Sequence, residues 1–432
     1  MKVKRSLLLR LTGAALVLAL VGTACGGGDS SNDGAAGAAG RDDSTEDSMM
    51  NDEQALATGI DTGSAKLRQT LTDLLNSHVY LAGIAVEQAV LTEDPNSPQF
   101  KAAAATLDRN SQDLAAAIES VYGADAGDAF LKQWREHIGF FVDYTIGGLT
   151  NDRRMQNRAA SNLDAYRADF SAFLENATGG ELDAETASEA LQMHVNSLVT
   201  AVDSALSGDP KVFSQLYEAA HGHMPMTAAA LAGAIAGQSP ENFDGDPNSA
   251  ASELQANLTE LLNSHVFLAG IAVEQAVLTE DPSSTRFTAA AKALDENSQD
   301  LAAAMESLYG ADAGDAFLKQ WREHIGFFVD YTVGGLTNDQ RMQSKAGRDL
   351  ARYEDDFAAF LSEATGGELD AGAAADALGM HVDSLVEAVD SVLAGDGKAF
   401  DLLYSAATDH MPMTASALAG AIVAQDPPGF SE

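Results

Sequence analysis

Residues 122–145 read YGADAGDAFLKQWREHIGFFVDYT, and residues 309–332 read the same, letter for letter. The offset is 187 residues, and it holds from the first helical segment of each copy to the last. Under it His78 maps to His265, His137 to His324, His194 to His381 and His223 to His410, which accounts for eight of the nine histidines. Repetition at this scale sets the architecture before any local reading does. The chain is two copies of one unit, residues 64–238 and 251–426. Each is long enough to bury a substantial core without disulfide staples.

Within each copy the signals are helical. Alanine is abundant, β-branched residues are scattered, and apolar residues recur at spacings of three and four. The pattern predicts six helices in the first copy. They cover about 65–91, a stretch opening at Pro98 behind a Ser97 cap, about 126–146, about 152–177, a stretch after Asp183, and one opening at Pro210 behind Asp209. Gly123, Gly147-Gly148 and Gly179-Gly180 supply stop signals. Short connections make sequential helices antiparallel neighbours. The expected fold is all-α: two tandem, near-identical antiparallel helical bundles of about six helices each. Residues 239–250 (SPENFDGDPNSA) have the Pro, Gly, Asn and Asp of a linker, and 427–432 form a short tail.

Cys25 is the only cysteine, which excludes an intrachain disulfide framework and thiolate metal sites. Ahead of it, Lys2, Lys4, Arg5 and Arg10 precede an apolar run at 11–21 that is too short to span a bilayer. The small residues Gly22, Thr23 and Ala24 follow. This segment resembles a bacterial lipoprotein signal peptide. The resemblance implies removal of residues 1–24, lipidation of Cys25, and anchoring at the extracytoplasmic face of the cell membrane. Residues 25–63, rich in Gly, Ser, Asp and Ala, read as a disordered tether. A net charge of −39 argues against nucleic acid as a partner, because phosphate binding needs clustered cations. No protein partner is indicated.

The histidines carry the chemistry. His78 lies on the stripe Leu71, Leu75, Ala82, Ala85; His137 on Phe130, Trp134, Phe141, Tyr144; His194 on Leu191, Leu198, Ala201; His223 on Leu216, Ala220, Thr227. Each shared histidine thus faces the apolar side of its own helix. Burying an unpartnered polar group costs on the order of 2 kcal/mol or more, so a shared ligand for four of them is attractive. His223 and Met226 stand three apart on one helical face, as do His410 and Met413. Imidazole with thioether suits copper, Cu(I) above all. The candidate metal ligands are therefore His78, His137, His194, His223 and Met226, with His265, His324, His381, His410 and Met413 as the second set. Copper is favoured and zinc is the alternative. Binding is expected to weaken near pH 6, where imidazole ordinarily protonates. Pro225 is expected to kink its helix. His221 is set aside because Thr408 replaces it in the second copy, and Glu87 should face away from His78.

Two other readings stay open. One is a ligand-free interaction module displayed at the cell surface, its histidines serving only as core polar groups. The other is a haem or small-ligand carrier, with Trp134, Phe140 and Phe141 as pocket walls. Catalysis is not expected: no phosphate-binding loop, nucleophile elbow or His-Glu-x-x-His string is present. The bundles are similar to ferritin-like proteins only in being helical and histidine-bearing. Their Glu-x-x-His string occurs once, Glu218 to His221, and gives way to Ser405 and Thr408 in the second copy.

Overall fold

Side-chain caps start the helices. Ser97 Oγ accepts from the Phe100 N–H at 3.1 Å, and Asp183 from the Thr186 N–H at 2.9 Å. Each satisfies one donor that a helix start leaves open. The computed structural model describes residues 59–430; the expected signal segment, Cys25 and nearly all of the expected tether lie outside the described residues. The first copy folds into α1 (Gly63–Thr92), α2 (Pro98–Tyr122), α3 (Ala124–Leu149), α4 (Arg153–Ala177), α5 (Ala184–Ser207) and α6 (Val212–Gln238). The second gives α7 (Ala250–Thr279), α8 (Thr285–Tyr309), α9 (Ala311–Leu336), α10 (Gln340–Ala364), α11 (Ala371–Leu393), α12 (Lys398–Ser405), a π-helical turn (Ala406–His410) and α13 (Met411–Gln425), then a terminal turn α14 (Pro427–Phe430). No strand occurs among the described residues. The all-α expectation holds.

The sixth helix departs from its expected form in two ways. It starts at Val212, two residues beyond Pro210, because the Lys211 N–H turns back to Asp209 Oδ1 at 3.0 Å. Pro225 does not interrupt it, since α6 runs through that residue. In the second copy the ladder widens instead into the π turn just before Pro412. The sequence differences within that turn are Thr408 for His221 and Asp409 for Gly222. The Thr408 hydroxyl donates to the Tyr404 carbonyl, four residues back, at 3.0 Å, and such back-bonding bends helices.

α1 is buried on most of its circumference, which suits a helix with little polar asymmetry. It packs against α2 and α6 of its own copy and against α7 of the other. Gly83 permits the close approach to α6, because a Cβ there would sit 2.5 Å from the Leu216 side chain.

Where α1 meets α7, residues face their own duplicates. Tyr80 stacks on Phe267 at 5.2 Å, and Asn76 Nδ2 donates to Asn263 Oδ1 at 2.8 Å. Gln88 donates to Glu274 at 2.6 Å, and reciprocally Gln275 donates to Glu87 at 2.9 Å. A pseudo-twofold axis therefore relates the copies. One apolar core runs continuously through both. Residues 239–250, expected as a linker, are tied to the start of α1. The Gly63 N–H donates to Asp244 Oδ1 at 2.6 Å, and Arg68 donates to the Pro247 carbonyl at 2.7 Å.

Candidate metal centre

Three helices of the first copy each bring one imidazole to the same layer of the core. His78 on α1, His137 on α3 and His194 on α5 are 1%, 2% and 5% exposed. One ring nitrogen from each lies within 4.8 Å of the other two. His78 Nε2 and His137 Nε2 are 3.4 Å apart. In the second copy His265, His324 and His381 repeat the cluster, with His324 Nε2 3.3 Å from His265 Nε2. Nitrogen ligands about 2.0–2.1 Å from one ion in tetrahedral array stand about 3.3 Å from each other. The closest pair in each cluster already has that spacing.

Aromatic rings wall the cluster. Trp134 lies 4.8 Å from His78 and 4.6 Å from His137, and Tyr166 of α4 stacks on His137 at 5.0 Å. Trp321 and Tyr353 take the same places in the second copy, at 4.7, 4.6 and 4.9 Å. Nδ1 of His78, Nδ1 of His137, Nε2 of His194, Trp134 Nε1 and the Tyr166 hydroxyl are all buried without a hydrogen-bond partner. Nδ1 of His265, His324 and His381, with Trp321 Nε1 and the Tyr353 hydroxyl, repeat this. Buried polar groups are nearly always satisfied, so such a concentration points to a ligand or to water.

Burial also sets the protonation state. It pushes His78 down to about 3. It holds His137 and His194 well below the ordinary imidazole value, and the neighbouring histidines add to the effect. For His137 the Trp134 carbonyl acts in the opposite sense, although it lies outside hydrogen-bond geometry for the buried Nδ1. His265 and His324 are likewise held low by burial, and His381 is pushed to about 4. Each cluster is therefore neutral at neutral pH, the state in which imidazole binds metal. Protonation of the folded sites falls well below pH 6, which corrects the expected weakening there.

The fourth histidine differs between the copies. His223 is 6% exposed, its Nε2 3.4 Å from His194 Nδ1, and burial pushes it to about 4. It extends the first cluster on the far side of His194. His410 is only half-buried, and among the described residues no hydrogen bond joins it to His381. Met226 and Met413 do not join either cluster, being 57% exposed. At 100° per residue Met226 lies roughly 200° around α6 from the buried Met224, so it points outward.

Sequence reasoning missed Tyr166 and Tyr353. Their signal was the buried stripe Leu163, Tyr166, Phe170 on α4, matched by Leu350, Tyr353, Phe357 on α10. It also set aside His221, which does have a role. Its Nδ1 lies 2.9 Å from Glu260 Oε2, across the boundary between the copies. Glu87 faces away from His78, as expected, into that same boundary. A macrocycle held between two axial imidazoles would need a slot between the rings. The facing nitrogens of His78 and His137 leave none. No protein-family model, curated protein or solved structure matches this chain.

Proposed function

We propose that each repeat holds one transition-metal ion on its three buried histidines, copper(I) being favoured. The protein would then store, buffer or hand over the metal outside the cytoplasm and would catalyse nothing. The observation that carries this reading is the pair of clusters: three neutral, buried imidazoles with mutually close nitrogens, formed twice. Copper(I) is favoured by charge. No carboxylate or thiolate belongs to either cluster. The cost of burying an ion rises with the square of its charge, so a divalent ion is penalised roughly four times as heavily as a monovalent one. This argument replaces the thioether one, since the methionines point away.

The test is titration of the purified full chain with copper(I) and zinc(II), followed by calorimetry and melting temperature. Two ions should bind per chain. At a hundredfold excess over the dissociation constant each site should add about 2.7 kcal/mol of stability. His137→Ala should reduce the stoichiometry from two to one, and His137→Ala with His324→Ala should abolish it. Saturable binding of neither metal, with melting unchanged, would leave the ligand-free interaction module as the better account. The membrane assignment is part of the same proposal and rests on the resemblance around Cys25. Cys25→Ser should release the protein from the membrane fraction, and a variant that stays there refutes lipid anchoring.

A further inference from the structure

Each histidine cluster borders an apolar cavity, of about 50 Å³ in the first copy and about 60 Å³ in the second. In the first copy its wall includes Gly83 and Val86 of α1, Phe141 of α3, Leu198 and Ala201 of α5, and Leu216 of α6. Every wall position of this cavity has its counterpart, 187 residues on, in the wall of the other. His78 and His137 line the first cavity, as His265 and His324 line the second. The one hydroxyl in the first wall, Thr145, is already committed to the Phe141 carbonyl at 2.8 Å. The imidazole edges are thus the reactive groups that face this space.

Size and polarity restrict the occupant. A water needs about 10–15 Å³ of such volume and two to four polar partners, and beyond the imidazoles the first wall offers only the committed Thr145 and the second adds only Thr332 and Glu274. Apolar cavities of this kind stay dry and take small apolar molecules. A lipid chain or a macrocycle is far too large. Three imidazoles also leave a metal ion short of a full coordination shell, with a position open to a further ligand.

We propose that each cavity is the ligand chamber of its histidine centre and admits a small neutral diatomic molecule to the open coordination position. Carbon monoxide and nitric oxide, which bind copper(I) without oxidising it, share this chemistry. The proposal rests on the metal reading above. No bond of the diatomic is broken, and no electron transfer is invoked.

The test uses the full chain loaded with copper(I) under anaerobic conditions and exposed to carbon monoxide. Infrared spectroscopy should show a copper-bound carbonyl at one per copper, two per chain. Filling the chambers with Ala201→Phe and Ala388→Phe should leave two coppers bound but lower carbonyl affinity at least tenfold. If that variant does not fold, Ala201→Val with Ala388→Val should give a smaller loss in the same direction. Xenon titration of the metal-free protein, read by xenon NMR, should reveal saturable sites that the filled variant lacks. Two coppers bound with no carbonyl band would overturn the chamber while leaving the metal reading intact. An equal band in the filled variant, or no saturable xenon site, would also overturn it. If no copper binds, the metal reading fails first and the diatomic site fails with it.

Discussion

The two histidine clusters agree within 0.1 Å in their closest nitrogen pair, 3.4 against 3.3 Å, and differ in what stands behind the third imidazole. In the first copy His223 is buried and backs His194. In the second, at the end of the π turn, His410 is half-buried and makes no hydrogen bond to His381, although it stays near enough to help hold that imidazole low and its Nδ1 is buried without a partner. The difference teaches that three helices suffice to build the centre, while the sixth helix only tunes it. π turns recur at functional sites, and here one local change in helix winding separates two otherwise equal centres.

The largest expected effect is on acid stability. His78, His137, His194 and His223 are depressed in the first copy, and His265, His324 and His381 in the second. An unfolded chain binds protons at these groups near pH 6.5, whereas the folded chain does not. Their contribution is therefore fully present above pH 6.5 and is lost as pH falls toward 3–4. For His223 alone the full difference is about 3 kcal/mol. Asp73 and Glu274, buried and raised to about 8, act in the opposite direction. Their contribution is present below pH 4 and is lost as pH rises through 8. Metal-free protein should accordingly be most stable near pH 6 and should unfold cooperatively between pH 5 and 4. His223→Leu should shift that transition to lower pH. An unmoved transition in denaturant melts across pH would remove His223 from the acid response.

A smaller effect is expected on metal affinity. Groups that orient a metal ligand typically matter by about 10–100-fold. His223→Ala should weaken the first site by about tenfold, toward the second, and His410→Ala should leave the second unchanged. Competition titration with a chromophoric copper(I) chelator resolves the two sites. Between pH 8 and 5 both affinities should stay level, because the folded imidazoles are already deprotonated. The smallest effect belongs to the methionines: Met226→Leu with Met413→Leu should change neither stoichiometry nor the preference for copper(I). A drop in copper(I) affinity in that variant would restore the thioether to the site.

Much of this was legible in the sequence. The repeat, the helices and the inward set of His78, His137 and His194 followed from period and spacing. A helical stripe says which side of its own helix a residue takes, but not how far along the core it lies. For that reason four histidines looked equivalent when three converge. The face joining the copies was hidden for another reason. Asp73, Asn76, Glu87 and Gln88 have the composition of a solvated helix side, and only the pseudo-twofold axis brings them against Asn263, Glu274 and Gln275. The change of winding before the second proline coincides with Thr408 and Asp409, where the first copy has His221 and Gly222, and neither difference alters the helical period that the sequence shows.

Asn76 against Asn263 and Tyr80 against Phe267 are a surface recognising its own image. Two separate chains could meet in the same way, but only at concentrations that favour association. Joined through residues 239–250, the halves keep an effective concentration that dilution does not change. Fusion also frees the halves from moving in step. A change in a homodimer appears on both faces, whereas here His221 meets Glu260 and the mirror positions, Thr408 and Asp73, need not answer. The chain can thus specialise one centre and hold the other constant as its reference.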